Sequence, residues 1–182
     1  MVRLEIVRII TIVPSSLNTI YLLILVVLLV GSKIGGVIIK ELKQFTDERG
    51  WLAEVFRSDE DSIKPVMSYI SFTKYGVKRG PHEHLKQSDF FTFAGPGDFE
   101  LYMWDNRKDS QTFGAFEKIL VGESKKVAVL VPPGVVHGYK AITSTGAFSI
   151  NLPDKLFAGK GKKEAVDEVR HEKDPNSKFL ID

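Results

Sequence analysis

From residue 36 onward the apolar positions fall into short runs of five to seven residues, and turn residues break them at short intervals. The runs are Gly36–Leu42, Trp51–Arg57, Met67–Thr73, Phe90–Ala94, Phe99–Trp104, Phe116–Leu120, Val127–Val131, Gly138–Ile142 and Ala147–Leu152. Asp47-Glu48-Arg49-Gly50, Tyr75-Gly76, Gly95-Pro96-Gly97, Asp105-Asn106-Arg107, Pro132-Pro133-Gly134 and Thr145-Gly146 separate them. Short strands at this spacing predict an all-β sandwich or barrel, of which the jelly roll is one form. Alternating βαβ units would need amphipathic helices between the strands, and the pattern has none. After Leu156 the chain becomes polar, with one helical turn expected around Glu164–Arg170.

The first part of the chain has a different pattern. Ile9 to Val30 carries no charge, and its dense half, Ile20 to Val30, is shorter than the roughly 20 residues a spanning helix needs. Pro14, Ser15, Ser16 and Asn18 interrupt the other half. Residues 1–35 are therefore set apart from a domain over residues 36–182. Three readings are open: an upstream extension from an early start codon, a signal segment, or a membrane anchor. As an anchor, Lys33, Lys40 and Lys43 would outnumber Arg3 and Arg8 and keep the domain in the cytoplasm.

Composition narrows the chemistry. The 182 residues suffice for one domain with a core, and 25 basic against 23 acidic residues leave a net charge of +2. Such a balance lacks the basic field of a nucleic-acid binder. The absence of cysteine excludes disulfides and thiolate chemistry.

Three of the four histidines lie in two compact motifs. In Arg79-Gly80-Pro81-His82-Glu83-His84, strand periodicity sends His82 and His84 to the barrel interior and Glu83 outward. In Val131-Pro132-Pro133-Gly134-Val135-Val136-His137-Gly138, a proline-glycine turn delivers His137 to the start of a strand. His171, in the polar tail, reads as an ordinary satisfied core or surface residue.

The two segments resemble the paired motifs of the cupins, with Gly76, His82, His84 and Asp89 in the first and Pro132, Gly134 and His137 in the second. A closer resemblance covers Gly36 to Pro153. Asp47-x-Arg49-Gly50-x-x-x-Glu54, Gly76-Val77-x-Arg79-Gly80-x-His82, Asp105-x-Arg107, Ser110-x-Thr112-Phe113-Gly114 and Pro132-Pro133-Gly134-x-x-His137-Gly138 are similar to motifs of the dTDP-4-dehydrorhamnose 3,5-epimerases, in the same order. The resemblance implies a cupin-type jelly-roll β-barrel, a nucleotide-diphosphate sugar as substrate, no cofactor and a homodimer that exchanges the strand at Gly36–Leu42. It implies that His82 removes the proton beside the C4 ketone and that Arg49 and Arg79 bind the diphosphate. Glu54, His84, Lys86 and His137 are taken as further substrate-binding positions, although typical members of the family lack the His-x-His pair. Carbon acids beside a ketone need a base poised near neutrality, which suits histidine, and arginine's planar fork suits phosphate.

Some positions depart from that pattern. The tyrosine expected thirteen residues after His137 falls on Ile150, and Met67-Ser68-Tyr69 stands where the family has glutamine-x-asparagine. Tyr69 supplies the acid if it faces the interior, and Lys86 replaces the family's lysine across a gap. Asp167, Glu168 and Asp174 are the candidates for the carboxylate that partners His82. A single-site epimerase or keto-sugar isomerase fits these departures. So does a metal enzyme in which His82, His84, His137 and Asp89 hold Mn, Fe or Ni, or a barrel that binds a sugar nucleotide without turnover.

Overall fold

A computed structural model describes residues 31–182, and the apolar segment Ile9–Val30 lies outside the described residues. Twelve strands run through them: β1 (Ile38–Glu41), β2 (Gln44–Asp47), β3 (Gly50–Ala53), β4 (Tyr69–Thr73), β5 (Lys78–Glu83), β6 (Asp89–Phe93), β7 (Asp98–Asp105), β8 (Phe116–Gly122), β9 (Val127–Val131), β10 (Val135–Ala141), β11 (Ala147–Asn151) and β12 (Val169–Arg170). Each of the nine expected runs overlaps one of them. The turn of helix expected over Glu164–Arg170 is replaced by β12, flanked by 3-10 turns at Lys160–Lys162 and His171–Lys173. Among the described residues no helix is long and apolar enough to cross a membrane.

Alternation decides which way each strand faces. On β7, Phe99, Leu101 and Met103 are buried in the core, while Tyr102 and Trp104 stack with Phe116 on the opposite face. Inside the barrel Phe93 of β6 and Tyr139 of β10 meet Phe99 edge to face, and Phe91 of β6 meets Tyr139 in the same way. Two five-stranded antiparallel sheets, ordered β1-β9-β6-β11-β4 and β12-β5-β10-β7-β8, share this core. The result is the jelly-roll barrel expected from the sequence. A second cluster, Leu42, Ile63, Phe90 and Ala128, packs on the outer face of the first sheet. Ile34 is in the main core and Ser32 bonds to Glu117, so packed structure begins before residue 36.

The Asp105-x-Arg107 and Ser110-x-Thr112 motifs turn out to be one loop. Buried Asp105 accepts from Arg107 Nε at 2.8 Å, Ser110 Oγ at 2.6 Å and Thr112 Oγ1 at 2.6 Å. Replacing Asp105 by alanine strands those donors. The expected result is a loss of about 2–3 kcal/mol in urea unfolding, with the activity of the folded fraction unchanged.

The tail from residue 155 is less polar in its setting than in its composition. Phe179 packs on Trp104 and His171, and Lys78 Nζ donates to the carbonyl of Ile181. The tail thereby covers Glu83, which is buried and accepts from Asn106 Nδ2 and His171 Nε2. Glu83 and His171 thus hold the tail to the barrel.

Candidate active site

Antiparallel pairing puts His137 of β10 opposite His82 of β5, and the register slips between His137 and Tyr139. The slip depends on Gly80, whose φ is +77°. A Cβ there would lie 2.7 Å from the His137 carbonyl and 3.1 Å from His82 Nδ1. Gly138 is equally crowded, with a Cβ 2.6 Å from the Arg79 carbonyl and 2.7 Å from Ile181. The glycines of R-G-x-H and H-G therefore let two backbones close up so that the histidines meet.

His82, His84, His137 and Asp89 form one cluster. The ring of His82 lies 4.6 Å from that of His137 and 5.3 Å from that of His84. Asp89 is 1% exposed and receives four groups: Gln87 Nε2 at 2.9 Å and Asn151 Nδ2 at 2.8 Å on Oδ1, and the Nε2 atoms of His84 and His137, each at 3.1 Å, on Oδ2. Burial would raise its pKa, but the hydrogen bonds and charges of His137 and His84 hold it well below the usual carboxylate range. Burial likewise opposes charge on His84, yet Asp89 and the Asp167 carbonyl raise it.

His82 differs from its neighbours. It makes no hydrogen bond to Asp89, and its Nε2 lies 3.7 Å from Glu168 Oε1. Burial first, then His137 and His84, push its pKa down to about 2, so the ring is uncharged near neutral pH. Glu168 reaches it because Asp167 anchors the tail: its carboxylate accepts the backbone N–H groups of Leu85, Lys86 and Gln87 at 2.8–3.0 Å. Burial notwithstanding, those three donors keep the Asp167 carboxyl below its ordinary pKa. Asp174 accepts from the tail's own Asn176 and Ser177 instead of meeting the cluster.

The cluster opens on a cavity of about 1420 Å³ walled by His82, His84, Tyr69, Tyr139, Glu168 and the 155–168 segment. That volume exceeds the roughly 300–1,000 Å³ of a drug-sized site and accommodates a nucleotide sugar. Arg79, Lys86, Lys155 and Lys162 also border it, which gives the wall a cationic side. Asn151 donates to both Asp89 and the Tyr69 hydroxyl at 3.0 Å, and burial pushes the Tyr69 phenol up to about 12. Tyr69 thus faces the cavity, 44% exposed, and is protonated near neutral pH.

Other positions fall elsewhere. Ile150 pairs with Ile70 and alternates with the buried Ser149 and Asn151, so it points to the outer side of its sheet. Arg49 and Glu54 lie outside the cavity wall, on or beside the β2–β3 hairpin. Arg49 is paired with Asp47, and Glu54 with Arg57 at 3.1 Å. Arg79 borders the cavity but is held by Thr73 Oγ1 and the Phe72 carbonyl, both at 2.9 Å. Gln87 and Asn151 were not singled out from the sequence. The inward parity of β11 was their only signal, and it marks Asn151 alone.

Comparison with known proteins agrees with this geometry. The family model described as dTDP-4-dehydrorhamnose 3,5-epimerase matches residues 31–165. A probable low-salt glycan biosynthesis epimerase of Haloferax volcanii is 39% identical over 122 residues, covering 65% of this chain and 78% of the relative. A spore coat polysaccharide biosynthesis protein of Bacillus subtilis is 35% identical over 113 residues, covering 62% and 74%. The crystal structure of dTDP-4-dehydrorhamnose 3,5-epimerase from Sulfolobus tokodaii superposes with a TM-score of 0.63 at 27% identity, covering 75% of this chain and 77% of that one.

Proposed function

This chain belongs to the dTDP-4-dehydrorhamnose 3,5-epimerase family, and from that premise we propose that it epimerises a dTDP-linked 4-keto-6-deoxyhexose with His82 as the base. The observation that carries the assignment is a histidine on the cavity wall with a carboxylate oxygen 3.7 Å from its Nε2. His82 takes the proton from the carbon beside the C4 ketone, and the electron pair moves onto the ketone oxygen as an enolate. An imidazole so reluctant to charge needs its cation held once formed, and Glu168 supplies the counter-charge. Tyr69 is protonated and borders the same cavity. It returns a proton to the opposite face of the sugar, which completes the inversion.

Arg79, Lys86, Lys155 and Lys162 give the cavity the charge a diphosphate requires. The relatives from Haloferax and Bacillus support a place in glycan or polysaccharide assembly. We assign Arg49 and Glu54 to the cavity of a second copy in a homodimer. The β2–β3 hairpin that bears Arg49 belongs to neither large sheet and exposes Phe45, Trp51 and Leu52, a combination suited to burial against another chain. Light scattering on the purified chain reads that assembly, and a monomer ends the assignment.

Incubating the full chain with dTDP-4-keto-6-deoxyglucose in deuterated water tests the function. Proton NMR should show loss of the C3 or C5 signal as solvent deuterium enters. An unlabelled substrate after prolonged incubation with folded protein would sink the proposal. Glu168→Gln keeps the shape but removes the counter-charge. It should lower kcat about 10²-fold with KM within about 3-fold, whereas a purely structural Glu168 would leave kcat near wild type.

A further inference from the structure

Asn151 lies on β11 between β6, which bears Asp89, and β4, where its cross-strand partner is Tyr69. Its side chain is buried, and both ends of the amide are engaged. Oδ1 accepts the backbone N–H of Phe90 at 3.0 Å. That contact settles which end of the amide is nitrogen, because an NH2 group there would repel the N–H. The two hydrogens on Nδ2 go to Asp89 Oδ1 at 2.8 Å and to the Tyr69 hydroxyl oxygen at 3.0 Å. An amide nitrogen offers no lone pair. Tyr69 is therefore the acceptor in this bond, and its own hydrogen points elsewhere. Among the described residues no other group hydrogen-bonds to that oxygen, and Tyr69 borders the cavity. The hydrogen faces the space a ligand would fill.

The placement suits a proton donor. Tyr69 stands on β4 and His82 on β5, strands of different sheets, so the two reach the cavity from facing walls. Inversion needs that arrangement, since one group takes the proton from one side of the carbon and another delivers from the other. Tyr139 does not meet it. It stands on β10, beside β5 in the sheet of His82, and its buried hydroxyl is tied to Ser149 Oγ at 3.0 Å. When Tyr69 donates, its O–H bond breaks and the electron pair stays on the phenol oxygen. The C=C pair of the enolate becomes the new C–H bond, and the pair on the enolate oxygen restores the ketone. Burial disfavours the phenolate left behind, and the Asn151 N–H is the contact that favours it. Water in the cavity then reprotonates Tyr69 and takes the proton held by His82.

We propose that Asn151 is a positioning residue for inversion: it aims the Tyr69 hydrogen into the cavity and holds the phenolate that donation leaves. The use of Tyr69 as the acid rests on the epimerase reading above, but the direction of its hydrogen does not. His82 alone can open the carbon and return solvent deuterium to the face it left. Exchange therefore needs no Tyr69, whereas inversion does, and loss of Asn151 separates the two.

With the full chain and dTDP-4-keto-6-deoxyglucose in deuterated water, NMR follows deuterium entry and formation of the inverted sugar as separate rates. Tyr69→Phe should slow inversion about 10²-fold with deuterium entry within about 3-fold. Asn151→Ala should slow inversion about 30-fold, the size of one hydrogen bond to a charged oxygen, and again spare deuterium entry. The double variant should be no slower than Tyr69→Phe alone, because both changes act through one hydroxyl. A merely structural Asn151 would slow both rates by the same factor, and that result overturns the proposal. So does a double variant slowed by the product of the two single effects. A measurement on protein with Asn151 intact covers an alanine variant that fails to fold. In ¹⁵N-labelled protein, Tyr69→Phe should shift one side-chain amide proton of Asn151 and leave the one on Asp89. If neither moves, Asn151 does not reach the phenol and the proposal falls. The two readings fail separately. Folded wild type without deuterium entry removes the epimerase, while the amide shift still establishes the aimed hydroxyl. Deuterium entry and inversion that Asn151→Ala lowers equally keep the epimerase and remove the role of Asn151.

Discussion

Changing His82 to asparagine should reduce deuterium wash-in and turnover by about 10³-fold, within the 10²–10⁴ that positioned proton transfer contributes. Binding of dTDP, measured by calorimetry, should stay within about 3-fold, because the nucleotide is held by the cationic wall and not by the proton-transfer group. The substitution is also gentle on the fold. His82 has no bond to Asp89, so removing it strands none of the four donors on that carboxylate. Its closest polar partner, Glu168, keeps Arg170 as a salt-bridge partner. Catalysis and stability therefore separate in this variant. A rate above a tenth of wild type would mean that another group takes the proton, and Tyr139 on the same wall would be the next residue to change.

How far the sequence reveals this site depends on whether a contact is local or distant. His82 and His84 were legible because two-residue spacing alone puts them on one face, and His137 because the proline-glycine turn sets where β10 starts. The carboxylate partner was legible only as one of Asp167, Glu168 and Asp174, and it is Glu168 that lies beside the ring. Glu168 lies 86 positions from His82 in sequence and immediately precedes a two-residue strand whose pairing no periodicity announces. Ile150 shows the reverse error, since a count of residues from His137 ignores parity and lands on the outward face of β11. The Asp105 and Ser110-x-Thr112 motifs carried the family resemblance without carrying its chemistry, because five hydrogen bonds to one carboxylate spend them on a loop. Glu83 was legible as facing outward but not as buried, because its cover comes from a tail whose burial rests on Phe179 and Ile181.

Asp89 is where the largest loss of stability is expected, about 3–5 kcal/mol for alanine. The carboxylate is almost fully buried, at 1% exposure, and satisfies Gln87, Asn151, His84 and His137 together. Its removal leaves four donors facing a void, and buried groups left without partners carry the full cost of desolvation. Urea unfolding reads this directly, and the melting temperature should drop by about 6–20 °C for a domain of this size. Asparagine should cost less, since it keeps an acceptor for Gln87 and Asn151 while turning its amide toward rings whose Nε2 atoms can then accept. A loss under about 1 kcal/mol for alanine would show that water from the cavity reaches the stranded groups. The same hub reaches Tyr69 through Asn151. Asp89→Asn should therefore retain most of its fold while losing activity, because the orientations of His137, His84 and Tyr69 all depend on the charge that has gone.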